Sequence, residues 1–128
     1  MVEKEFVTVF SEICRSIEES RGMVNLFAIV KMDELTDKWT VIISAQWVND
    51  DTFEGLFSEL RKLMLDKLGD AIYTVARISI FDLSNHLSEL MIQRFESGDS
   101  IKTDEQINGN LIHEGYIIKV AKLTEPAT

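Results

Sequence analysis

Residues 51–81 read DTFEGLFSELRKLMLDKLGDAIYTVARISIF, and the fold turns on them. Phe53, Leu56, Phe57, Leu60, Leu63, Met64 and Leu68 recur here at three- and four-residue steps, while Glu59, Arg61, Lys62 and Asp66 fall at other angles. That periodicity predicts an amphipathic helix with one face turned to a core. Asp51 with Glu54 three residues on has the form of a capping box with Asp in the Ser/Thr place, and Gly69 supplies the stop. Ala71 to Phe81, rich in β-branched and aromatic residues, predicts a strand. A helix of this length between two strands satisfies a parallel crossover, so the strands before and after it are expected to run the same way, joined right-handedly.

Upstream, Trp39 to Val48 supplies the first of those strands. Trp39, Val41, Ile43, Ala45 and Trp47 share one face; Thr40, Ile42, Ser44, Gln46 and Val48 share the other, a mixture expected to be partly exposed or to line a polar pocket. Val24 to Met32 is apolar on both faces and is expected to be the central strand, joined to Trp39–Val48 as a hairpin through the polar turn Asp33–Lys38. Before it, Phe6, Phe10, Ile13, Cys14 and Ile17 mark a helix over Val2–Arg21 that Gly22 ends.

Downstream, Leu83, Leu87, Leu90, Met91 and Phe95 predict a third helix capped by Asp82 or Ser84, with Gly98 near its stop. Ser97 to Gln106, polar apart from Ile101, is expected to be a mobile loop with room for a short edge strand. Asn108-Gly109 is a two-residue hairpin signal, and Leu111 to Leu123 is a long final strand in which Gly115 would mark a bulge. The resulting order α-β-β-α-β-α-β-β predicts a single α+β domain over residues 1–124, with three helices packed on a four- or five-stranded mixed sheet. Residues 125–128 are expected to form a frayed tail.

Composition narrows the function classes. Thirteen basic against 22 acidic residues leave a net charge of −9, which repels phosphate and anionic lipid, so no nucleic-acid partner is expected. Forty-five per cent hydrophobic and 27% charged residues fit a folded chain, and no apolar run approaches the eighteen or so residues of a membrane span. One cysteine, Cys14, makes no intrachain disulfide, and the two glutamates among the first residues do not resemble a secretory leader; the expected location is the cytoplasm. Cys14 lies on the apolar face of the first helix and is expected to be a buried small hydrophobe.

No phosphate-binding glycine loop, dinucleotide fingerprint, nucleophile elbow or zinc-protease helix occurs, and no cofactor is evident. The Gly-Ser helix start with two strand carboxylates that marks nucleotidyltransferases is also missing. Asp33 to Lys38 lacks the ligand spacing of a calcium loop and is expected to be a solvated turn. What remains is positional. Parallel strands would bring Asp50, Asp51, Asp82 and His86 to one edge of the sheet, where carboxylates and an imidazole suit a divalent cation or acid–base chemistry. Helix capping explains Asp51 and Asp82 without any ligand, and no metal ligand set is assigned.

Gln46 and Arg77 are the candidate ligand-binding residues, Arg77 on the strand face that would carry Tyr73, Val75, Ser79 and Phe81. His113 and Lys119 share one phase of the last strand and Glu114 the other. Trp39 and Trp47 read as core with an interface as the rival, and Met23, Met32, Met64 and Met91 as core filler. The sum is a binding or regulatory module, expected to be a homodimer through a strand edge or the aromatic sheet face. The alternative is a small enzyme with a divalent-metal or nucleotide site at the strand-to-helix junctions.

Overall fold

A computed structural model describes residues 3–32 and 37–122. Its centre is a six-stranded mixed sheet. β1 (Leu26–Met32) is flanked by β2 (Trp39–Ser44) on one side and β6 (Asn110–Val120) on the other, both antiparallel to it. β3 (Val75–Phe81) pairs with the far side of β2 in parallel, and β4 (Ser100–Ile101) and β5 (Glu105–Ile107) both pair with β6. The greasiest strand is thus the central one and the expected hairpin is present. Of the turn Asp33–Lys38, residues 33–36 lie outside the described residues, as do Leu123 and the tail 125–128.

α1 (Glu3–Arg21) and α2 (Asp50–Leu68) cover one face of the sheet. Phe10, Ile13 and Ile17 of α1 and Leu56 and Leu60 of α2 are wholly buried there with Phe27, Ile29, Val41 and Ile43. Arg21 and Ser20 bind Glu59 across the two helices, at 2.6 Å each. Cys14 is buried in this layer as expected, and burial pushes its thiol up to about 12. The nine-residue α3 (His86–Arg94) covers the opposite face, packing Leu87 and Met91 on Leu26, Ala28, Val30 and Ile42.

Several local expectations need correction. β2 ends at Ser44, and the chain then turns, so Trp47 is not a strand residue; its indole donates to the Met23 carbonyl at 2.9 Å. The second face of β2 is not half-exposed, because Thr40, Ile42 and Ser44 are fully buried. Met23 is exposed, whereas Met32, Met64 and Met91 are core. Residues 69–74 form a 3-10 helix before β3, so the strand begins at Val75 rather than Ala71. A register shift between Trp39 and Thr40 skips Ala76 and reverses the faces on either side of it. Val75 therefore joins Ile78 and Ile80 against the α1/α2 layer, while Arg77 faces the other way with Ser79 and Phe81.

Gly115 is not a bulge. The irregularities in the β1–β6 ladder fall between Phe27 and Ala28 and between Lys31 and Met32, to either side of it. A Cβ on Gly115 would lie 2.9 Å from Val30 Cγ1 and 3.2 Å from the Ile29 carbonyl, so glycine is needed for close approach of two strands. The shift near Phe27 also changes phase, bringing Lys119 to the face of Glu114 and Tyr116, where its ammonium meets Glu18 of α1 at 3.0 Å. Asn108 and Gly109 both take positive φ, 51° and 77°, as the hairpin reading requires.

Candidate functional site

The parallel pairing of β2 with β3 sets Ser44 beside Phe81, so the two strand-to-helix junctions do lie at one end of the sheet. Gln46, Asp50, Asp51, Asp82 and His86 all follow these strand ends, and all are exposed. Their local chemistry is that of helix starts. Asn49, not Asp51, caps α2: its side-chain oxygen accepts from the Asp51 and Thr52 amides at 2.8 and 3.0 Å. Thr52 completes the box by accepting from the Asn49 amide at 2.9 Å, in place of the Glu54 that the sequence motif favours. Asp50 and Asp51 sit in the first turn, where a negative charge complements the helix dipole.

The second junction repeats this pattern. Asn85, not Asp82 or Ser84, caps α3 by accepting the Ser88 amide at 3.0 Å. Asp82 accepts from the amide and hydroxyl of Ser84, and these hydrogen bonds hold its carboxyl below the usual range. His86 is the first residue of α3. Among the described residues, no three His, Cys, Asp or Glu side chains are grouped so as to hold a metal ion.

Arg77 stands apart from the rim, four residues before the end of β3 and so roughly 13 Å away along the strand. Its register partner is Thr40, and its guanidinium reaches the Met32 sulfur at 3.7 Å. Arg77 also lines a surface groove of about 500 Å³ between α2 and β3. Phe57, Arg61, Met64 and Leu65 form the helix wall, Ile72 and Tyr73 the end, and residues 75–78 the floor. Leu65 and Tyr73 are 53% and 76% exposed, and Phe53 and Phe57 lie half open on the same helix. Arg77 contributes to the floor from β3 but sends its guanidinium across the opposite face to Met32, so among the described lining residues the charge on the groove side is that of Arg61.

This groove was missed in the sequence although a signal for it is present. The apolar arc of α2, from Phe53 through Leu56, Phe57, Leu60, Leu63, Met64, Leu65 and Leu68, is wider than one buried stripe needs. The structure divides it: Leu56, Leu60, Met64 and Leu68 enter the core with Leu63 packed against them, while Phe57 and Leu65 face the groove. The two tryptophans, by contrast, are half-buried. Trp39 packs against Phe6 of α1 and Tyr116 of β6, and Trp47 lies beneath Arg21. None of the described helices is long and apolar enough to cross a membrane. No protein-family model, curated protein or solved structure matches this chain.

Proposed function

We propose that this chain acts by binding: a small recognition module that captures an extended, acidic protein segment along β3 and against α2. One observation carries the reading. Among the described residues β3 is a seven-residue strand paired on one side only, and beside its other edge runs an apolar groove with Arg61 on its helix wall. An unpaired edge offers backbone N–H and C=O groups to an added strand, and the neighbouring hollow then selects alternate side chains. Arginine beside such an edge selects carboxylates by bidentate pairing.

The same features weigh against a second copy as the occupant. Joining two such edges would bring Arg61 of one copy towards Arg61 of the other, and like charges brought together repel. The aromatic route to a homodimer is weakened as well, because Trp39 and Trp47 spend much of their surface within the chain. The metal-enzyme alternative draws no support from the rim, whose acids lie at helix starts.

The test is a titration of the full chain with a capped seven-residue peptide of alternating Val and Glu, with a Val/Lys peptide as control, followed by backbone amide NMR. The acidic peptide is expected to shift residues 75–81 and to bind about tenfold more tightly than the basic one, with Arg61→Glu erasing the preference. Equal affinities, or shifts confined to another surface, would overturn the reading. Light scattering that shows a stable dimer, with residues 75–81 protected from exchange, would hand the edge to a second copy instead.

A further inference from the structure

On the α1 side of the sheet, at the end away from the acidic rim, Phe6, Trp39 and Tyr116 wall a second hollow of about 490 Å³. The Phe6 and Trp39 rings are 5.4 Å apart and tilted by 35°, and the Trp39 and Tyr116 rings are 5.7 Å apart at 42°. Among the described residues, Asp70 and Glu114 add two carboxylates to the lining against one cation, Lys31. That lysine is informative. Its ammonium lies 4.7 Å from the centroid of the Trp39 ring and 3.5 Å from Glu114 Oε2, so it is held by an aromatic face and a carboxylate together. Glu114 is further oriented by Tyr116, whose hydroxyl donates to its Oε1 at 3.4 Å.

Aromatic faces converging with carboxylates form the chemistry that recognises organic cations, because the ring quadrupole attracts positive charge without demanding that water be replaced donor for donor. We propose that this hollow is a receptor site for an organic cation, a quaternary ammonium or a guanidinium group, and that Lys31 occupies it in the free protein. Among the described lining residues, two acids against one base leave one negative charge in excess, which matches a cationic ligand and opposes an anionic one. Lys31 is then a built-in competitor. An incoming cation must displace its ammonium from Trp39, and the apparent affinity is reduced by the fraction of molecules in which Lys31 has already swung away. The site shares no lining residue with the groove beside β3, so it stands or falls independently of peptide capture.

The experiment is a titration of the full chain with tetramethylammonium chloride, read at the Trp39 indole N–H and the Ala71 and Tyr116 amides. Sodium chloride at matched ionic strength is the control. Wild-type protein is expected to show saturable shifts with the organic salt and none with the inorganic one. Lys31→Met is expected to bind about fivefold more tightly, because the competitor has gone, while Trp39→Leu loses saturation at Ala71 and Tyr116. Lys31→Gln supplies the same comparison should Lys31→Met unfold. The same response to both salts, an absence of saturation, or weaker binding once Lys31 is removed would overturn the proposal.

Discussion

The two edges of the sheet are built on different terms. At the far side of β6 the pairing strands are two and three residues long, flanked by a hydrogen bond between His113 and Asp104 at 2.9 Å and an ion pair between Arg94 and Glu105 at 3.2 Å. Short strands set among charges are how proteins keep an edge from recruiting other chains. β3, at the opposite side, has seven residues and is bordered by exposed Leu65 and Tyr73. One edge thus carries these safeguards and the other carries few, which is the contrast on which the peptide-capture proposal rests.

That contrast can be broken at the guarded edge with a single substitution. Gly115→Val would force β6 off β1 at Val30 and Ile29 and carry β4 with it, since Ile101 pairs opposite Gly115. A loss of about 3 kcal/mol is expected, read by chemical denaturation, with exchange protection falling first at residues 100–107. The open edge is sensitive in a milder way through the helix that walls its groove. Asn49→Ala removes the cap of α2 and is expected to cost about 1 kcal/mol, whereas Glu54→Ala, at the position the sequence motif favoured, is expected to cost less than half as much. Equal losses would mean that the capping geometry is not what holds the helix start. The smallest effect on stability belongs to Ala76→Lys, which sets a charge on the exposed β3 edge; the change is expected to stay within about 0.5 kcal/mol while abolishing capture of the acidic-alternating peptide. Retained capture would move the binding surface elsewhere.

The architecture was legible because it depends on long-range patterns. The period of Phe53 to Leu68 and the apolar run of β1 each sum many residues, so the helix, the central strand and the parallel return to β3 could all be read from them. Single-residue events were not legible. Which of Asn49 and Asp51 caps α2 depends on one residue's φ and ψ, and acidic residues fit both the cap and the first turn. The skipped Ala76 reversed the facing of Arg77 relative to Val75, and no periodicity records a one-residue slip. Residues around the rim were placed correctly at one end of the sheet, yet the groove and the aromatic hollow join residues from distant segments. Arg61 comes beside β3, and Lys31 beside Trp39 and Glu114, only through the sheet's register and the packing of α2.

Cys14 gives the molecule an internal clock. Its thiol lies beneath α1 and stays protonated to about pH 12, so the nucleophilic form is withheld while the fold is closed. The open chain ionises near its ordinary value of 9.0, so stability is expected to fall as pH rises from there towards 12, because only the unfolded state sheds the proton. At pH 8, iodoacetamide should therefore label this single position only during excursions that expose the interior between α1 and the sheet. Alkylation followed by mass spectrometry would then time those excursions residue-specifically, without a dye or an engineered label, and rapid labelling of undenatured protein would reveal a layer looser than its packing implies.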